Sequence, residues 1–310
     1  MKNQLRTNCT QVTEFSLRGF TEDPLAQVTL FLLFLLTYLV TILGNLGMVV
    51  LIRASPQLHS PMYYFLGNLA FVDLCSSTVI APKMLVDFLS EKKAISYAGC
   101  VAQVFVFDIF GMTECFLLAT MAYDRYVAIC HPLLYPLVMS PKSCFQLVTG
   151  SYLVGLTNGV GQTISMASLS FCGSSIIDLF FCDISPLISL STSDATLSHL
   201  ILTTSASLFG VSSSLVVLVS YVAIISTILR ITSSEGKRKA FSTCTSHLTT
   251  VSIFYGTSIF MYLKPSSDSS GEDKWAAVLY TVVTPMLNPL IYSLRNKGVK
   301  EALKRLIKGK

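Results

Sequence analysis

The chain is 310 residues long, 52% apolar and only 13% charged, with a formal net charge of +5. Soluble domains carry about 25% charged residues, so the composition excludes an ordinary soluble domain, and nothing in it resembles a nucleic-acid-binding module. The charge is also unevenly placed: no lysine or arginine lies between Lys142 and Arg230, where only Asp178, Asp183 and Asp194 are acidic.

A membrane-spanning helix needs roughly 20 predominantly apolar residues. Seven stretches qualify, at about 26–52, 61–86, 98–123, 143–168, 197–229, 240–263 and 273–294. The expected fold is therefore an all-α membrane protein. A seven-helix domain over 26–294 stands between an extracellular tail (1–25) and a short cytoplasmic segment (295–310). The first span is the clearest, with the run Phe31-Leu32-Leu33-Phe34-Leu35-Leu36. The fourth and fifth read as diluted by Ser, Thr and Gly, residues that suit packed membrane helices because they allow close approach and bond backbone carbonyls.

Lys and Arg concentrate on the cytoplasmic side of membrane proteins. With the N-terminus outside, the inner segments hold Arg53, Arg125, Lys142, Arg230, Lys237, Arg238, Lys239 and the tail residues Arg295, Lys297, Lys300, Lys304, Arg305, Lys308 and Lys310. The outer segment 169–196 holds no lysine or arginine. Asn8-Cys9-Thr10 is a glycosylation sequon, which makes sense only on an extracellular tail. No removable signal peptide is read before the first span, which is expected to insert itself. Residues 296–310 read as a short amphipathic helix, with Val299, Leu303, Leu306 and Ile307 among lysines, suited to the anionic inner leaflet.

Ionisable groups inside spans are costly and point to function. Asp73 lies in the second span, and Glu114 in the third, three helical turns before Arg125. Asp73 and Glu114 could bind a cation, sodium for example, with Asn45 and Asn288; alternatively one or both are protonated and hydrogen-bonded. Asp124-Arg125-Tyr126 ends the third span. The seventh ends Asn288-Pro289-Leu290-Ile291-Tyr292, where proline bends the helix and Asn288 is expected to satisfy the freed backbone groups. Of nine cysteines, the topology puts Cys9, Cys100, Cys172 and Cys182 outside, where disulfides persist. The other five read as packing residues, in no metal-ligand spacing.

Longer strings carry a resemblance. They are Leu58-His59-Ser60-Pro61-Met62-Tyr63-Tyr64-Phe65-Leu66, Met121 to Cys130, Ser220-Tyr221, Lys239-Ala240-Phe241-Ser242-Thr243-Cys244-Thr245-Ser246-His247-Leu248, and Pro285 to Asn296, with Gly44-Asn45 in the first span. Together they resemble the rhodopsin-like G-protein-coupled receptors, and within them the larger, tetrapod-type group of odorant (olfactory) receptors. The resemblance implies that Asp124 holds Arg125 at rest, that Arg125 turns toward the G protein on activation, and that Tyr221 and Tyr292 swing inward to support that state. It also implies a Cys100–Cys182 bridge pinning the second outer loop, a plasma-membrane location, and a stimulatory olfactory G protein that raises cyclic AMP. One departure stands out: Thr192, in Leu190-Ser191-Thr192-Ser193-Asp194, replaces a cysteine usual in that loop. Cys172 is then expected to be free rather than paired with Cys9, and the loop looser.

A small ligand needs a concave, mostly apolar pocket with a few oriented polar groups. On the third span Asp108, Gly111, Met112 and Cys115 share one helical face, with Val104 a turn outward and Phe107 alongside. The matching stripes are Leu202, Ser205, Ala206 and Phe209 on the fifth span, and Tyr255, Ser258, Ile259 and Tyr262 on the sixth; Val278 and Thr281 of the seventh would close the cavity. By resemblance these outer halves line the odorant site. Asp108 could attract an amine, donate a hydrogen bond if protonated, or bond Ser or Thr on a neighbouring helix. A transporter would be expected to show internal repeats with broken helices in matching positions, and none is read here. An enzyme would need nucleophile–base or ligand sets, yet the four histidines, His59, His131, His199 and His247, sit at or near span ends without ligand spacing. The expectation is a receptor and not an enzyme.

Overall fold

The computed structural model describes residues 12–263 and 271–307. Asn8, Cys9, Lys308, Lys310 and the side chains of Tyr262, Leu306 and Ile307 lie outside the described residues. Seven long helices follow in chain order: α1 (Pro24–Ala54), α2 (Pro61–Leu89), α3 (Tyr97–Cys130), α4 (Pro141–Ala167), α5 (Thr196–Arg230), α6 (Ser234–Leu263) and α7 (271–295). A shorter helix, α8 (Lys297–Ile307), ends the described chain. Several starts carry local signals. Asp23 precedes Pro24 and accepts from the Leu25 amide at 3.3 Å, Ser140 precedes Pro141 and accepts from Ser143, and Ser96 accepts from Gly99. A small polar cap accepts an otherwise orphaned N–H, and a proline at the first helical position loses nothing because its N–H would be unpaired anyway.

Five of these helices are individually apolar and long enough to cross a membrane. The reading of a diluted fifth span is corrected: α5 is among the most apolar, and the helices that fall short are α4 and α6. The reason lies in their composition. α4 carries Ser, Thr, Asn, Gln and four glycines, and the first turns of α6 hold Lys237, Arg238 and Lys239 before a Ser/Thr-rich half. Such helices span by packing against neighbours rather than by bulk apolarity.

α3 is the central element, packed on α2, α4, α5 and α6, while α1 packs on α2 and α7. The α3–α4 seam is set by Gly155 and Gly159, one small residue every four. A Cβ on Gly155 would lie 2.4 Å from the Ile109 carbonyl, and one on Gly159 would lie 3.0 Å from the Phe105 carbonyl. Only a bare α-carbon fits at that backbone-to-backbone approach.

The outer mouth is capped by a small sheet in the order β2-β1-β3. Residues β1 (Glu14–Leu17) run antiparallel to β2 (Ala94–Ser96), with Phe15 opposite Ile95, and parallel to β3 (Ile176–Ile177), with Leu17 opposite Ile177. The inward-facing Phe15 and Leu17 are buried, Phe15 against Tyr97 and Phe171. Cys100 and Cys182 are bonded, with α-carbons 5.5 Å apart. Gln103 secures the same loop, accepting from the Cys182 amide at 2.8 Å and donating to the Val79 carbonyl at 3.1 Å.

Two expectations about this loop are corrected. Cys172 is disulfide-bonded, not free; Cys9 lies outside the described residues. Where Thr192 replaces a cysteine, hydrogen bonds tie the segment instead of leaving it loose. The Thr192 amide and hydroxyl donate to the Ser170 carbonyl at 2.9 and 3.0 Å, and the Ser170 amide donates to Ser193 at 2.9 Å. At the inner end, Asn296 opens α8 by accepting from the Tyr63 hydroxyl at 2.8 Å and the Val299 amide at 3.3 Å, and Val299 and Ala302 are buried.

Gly155→Ala is expected to destabilise the bundle by about 1–3 kcal/mol, the usual cost of overpacking a filled interior. Gly150→Ala on the same helix, with open space around it, serves as control. Surface labelling of live cells should show Gly155→Ala depleted and Gly150→Ala unchanged; equal levels would dismiss the close seam.

Candidate functional site

A cavity of about 420 Å³ opens in the outer half of the bundle. This lies within the range of about 300–1,000 Å³ usual for small-molecule sites. α3 contributes Phe107, Asp108, Gly111, Met112 and Cys115 to its wall, and α6 contributes Tyr255, Ser258 and Ile259. α5 contributes Leu202, Ser205 and Ala206. Phe209 does not join them, a correction with a backbone cause. Residues Ala206–Gly210 form a π-helical turn, so the inward stripe skips a residue and continues as Gly210, Val211, Ser214, Leu215 and Leu218. Phe209 is turned onto Phe116, ring centroids 6.2 Å apart.

A second π-helical turn, Leu279–Val283, does the same in α7, where Tyr280 and not Val278 or Thr281 reaches the wall. Val278 is buried in the outer core and Thr281 donates to its own helix at the Ala277 carbonyl. Val104 is likewise packed in the core above the cavity. The linings not read from sequence include Asn158 and Gln162 of α4, Ile184 of the outer loop, and Phe254 of α6. The pair on α4 had a legible signal, two amides four residues apart on one helix face. Ile184 reaches the cavity because the Cys182 bridge holds its segment down over the mouth.

Two bonds join α6 to carbonyls of α3. Tyr255, on the cavity wall, donates to the Cys115 carbonyl at 3.3 Å, and its oxygen lies 3.5 Å from the Cys115 sulfur. Two helical turns inward, His247 Nε2 meets the Leu118 carbonyl at 3.1 Å, and its Nδ1 lies 2.6 Å from the Tyr221 hydroxyl. A carbonyl only accepts, so Nε2 carries the proton, Nδ1 accepts, and Tyr221 donates. α3, α5 and α6 are thereby joined through one buried ring.

Between cavity and inner mouth lies a buried polar group. Asn288 donates to Asp73 Oδ2 at 2.9 Å, and Asn45 donates to the Thr41 and Pro285 carbonyls, both at 3.0 Å. Pro289 has no N–H to offer Pro285, four residues earlier, so the freed carbonyl is taken by Asn45. This corrects the assignment of that task to Asn288. Asp73 Oδ1, Glu114 Oε1 and Asn45 Oδ1 remain without hydrogen-bond partners, all in fully or nearly fully buried side chains. Hard oxygen atoms in this number fit a small hard cation.

At the inner end, Asp124 accepts from the Tyr135 hydroxyl at 2.8 Å. Burial, and then the adjacent Asp124 carboxylate, push the Tyr135 phenol up, so it stays a donor. Arg125 contacts the Met62 sulfur of α2, and among the described residues it makes no ion pair with Asp124. Tyr135, in the second inner loop, is thus a hydrogen-bond partner of Asp124 that the sequence did not suggest, and Arg125 lies close enough to favour the carboxylate electrostatically. Tyr126 pairs with His131 at 3.0 Å, and Tyr221 and Tyr292 are both buried inside the bundle.

A family model described as olfactory receptor matches residues 34–310. The chain is 55% identical to olfactory receptor 5G9 of Mus musculus over 301 residues, covering 97% of this chain and 96% of that one. It is 53% identical to olfactory receptor 5G3 of Homo sapiens (98% and 97% covered) and 54% identical to the olfactory receptor-like protein COR4 of Gallus gallus (97% and 96%). Among solved structures it is similar to squid rhodopsin, with a TM-score of 0.71 at 18% identity, over 92% of this chain and 86% of that one. The last likeness concerns the fold alone.

His247→Phe keeps an aromatic ring but removes both of its hydrogen bonds, leaving the Leu118 carbonyl and the Tyr221 hydroxyl unpaired. The expected cost is about 1–3 kcal/mol, read as a lower melting temperature of the detergent-solubilised protein. An unaltered melting temperature would show that the ring joins nothing.

Proposed function

Because the chain belongs to the olfactory receptor family, we propose that its outer cavity takes a small, volatile, mostly apolar odorant and that occupation drives a stimulatory olfactory heterotrimeric G protein to raise cyclic AMP. Membership makes it a multi-pass plasma-membrane receptor for small molecules, acting through a G protein, and not an enzyme. The link from occupation to activation rests above all on Tyr255, which stands on the cavity wall and bonds the Cys115 carbonyl of α3; the choice of G protein rests on family resemblance alone. A ligand that competes for Tyr255 weakens the outer of the two α3–α6 bonds. The His247 bond, two turns inward, is then the remaining tie, and its loss frees α6 to swing outward beside Arg125.

A ligand shifts such an equilibrium only by its difference in affinity for the two states. In this reading Asp124, Arg125, Tyr126, Tyr221, Asn288, Pro289 and Tyr292 form the switch, and Lys237, Arg238 and Lys239 border the G-protein cleft. Asn45, Asp73, Glu114 and Asn288 would hold a sodium ion, whose single charge would offset one carboxylate, the other being protonated. α8, basic on its outer face, would lie along the anionic inner leaflet, and Asn8 would carry the glycan.

Arg125→Ala is expected to reach the surface at near wild-type levels and to lose odorant-evoked cyclic AMP. The measurement is an odorant-panel screen in cells carrying a cyclic AMP reporter, scaled to surface-labelled receptor. Retained signalling would refute the role given to Arg125, and a stimulated wild type with no rise in cyclic AMP would refute the coupling.

A further inference from the structure

The cavity has one formally charged wall group and no basic one. Among its described lining residues Asp108 is the sole Asp or Glu, and there is no Lys, Arg or His. Facing it from α4 are Asn158 and Gln162, which are 4% and 2% exposed. The oxygen atoms of both amides, Asn158 Oδ1 and Gln162 Oε1, have no hydrogen-bond partner. The Asn158 nitrogen is engaged with Asp108, reaching its carbonyl at 3.4 Å and its side chain, which leaves the amide oxygen as the unpaired atom. Buried polar atoms left unpaired are costly and uncommon, and the Asp108 carboxylate beside them has the Asn158 side chain as a hydrogen-bond partner but no cation. The α3–α4 end of the cavity therefore holds unpaired acceptors, while the α5–α6 end offers Leu215, Leu218 and Ile259 among the hydroxyls of Ser214, Tyr255 and Ser258, which already donate to backbone carbonyls.

Resting on the reading of this cavity as the ligand site, we propose that it is built for protonated primary alkylamines. The ammonium would sit on Asp108 and share its other N–H bonds with Asn158 Oδ1 and Gln162 Oε1, while the alkyl chain extends toward α5 and α6. An ammonium brings three donors and no acceptor, one for each of these groups. An alcohol brings one donor. Aldehydes, ketones, esters and carboxylates bring none, and they would press acceptor against acceptor.

The test uses a series sharing one six-carbon chain and ending in amine, alcohol, aldehyde or carboxylate. Full-length wild type, Asp108→Asn and Gln162→Leu are compared at matched surface level. Two readouts are taken: cyclic AMP in cells, and protection of the solubilised receptor against heating, which does not depend on the G protein. The expected result is that hexylamine acts at the lowest concentration in the wild type. Asp108→Asn should weaken it by about tenfold or more, as the loss of a charged hydrogen bond implies, and leave hexanol within about threefold. Gln162→Leu should weaken the amine to a lesser degree.

An amine inert in both readouts while another member of the series or of a wider odorant panel acts would overturn the proposal and leave the odorant reading standing. So would an Asp108→Asn receptor with wild-type amine response. Silence toward every compound in both readouts would count against both. Protection by the amine without cyclic AMP would uphold this proposal and count against the proposed coupling.

Discussion

Hydrocarbon offers no hydrogen bonds, so every polar group between the two membrane faces must find its partner inside the protein. The Asn45 amide is where this constraint shows most directly. Pro289 bends α7 and strips the Pro285 carbonyl of its usual donor, and Asn45 reaches across from α1 to supply another. Gly44, next to it, is what allows the reach: a Cβ there would lie 2.9 Å from the Pro289 ring. With Asn45 spent on the backbone, Asn288 is left free to turn toward Asp73 on α2. One missing N–H thus ties α1, α2 and α7 together, and α3 joins the same buried group through Glu114.

The same economy operates along α3. This helix offers side chains on all faces, yet both α6 groups bound to it, Tyr255 and His247, meet its backbone, at the Cys115 and Leu118 carbonyls. Backbone acceptors are present whatever the side chain, so the wall of the cavity can vary without loosening that seam. Specificity and transmission are in this way separated along one helix: Asp108, Gly111 and Met112 face the ligand space, while carbonyls a turn or two below hold α6.

The seven-helix architecture was legible because apolar length and basic-residue asymmetry are coarse, cumulative signals. The Cys100–Cys182 bridge and the family were legible from strings such as Met121 to Cys130. The details that escaped share one origin. Helical periodicity assumes 3.6 residues per turn, and two π-helical turns, Ala206–Gly210 and Leu279–Val283, break that count inside the cavity wall. Phe209, Val278 and Thr281 were assigned inward by a period that does not hold there, and Gly210, Ser214 and Tyr280 took their places. Asn158 and Gln162 belong to a span whose place in the bundle the sequence does not give; the glycine seam that brings it against α3 also brings its amides to the cavity. The partner of Asp124 was missed because Tyr135 belongs to a loop, where spacing along the chain says little about contact.

The cap over the outer mouth has the first strand of the chain at its centre, with its two neighbours contributed by residues 94–96 and 176–177. During biosynthesis, β1 is therefore exported long before either flank exists. One edge can pair once the chain after the second crossing has emerged, the other only after the fourth. The lid therefore cannot close until two separate outer loops lie on the same side as β1, although three membrane helices are still to follow.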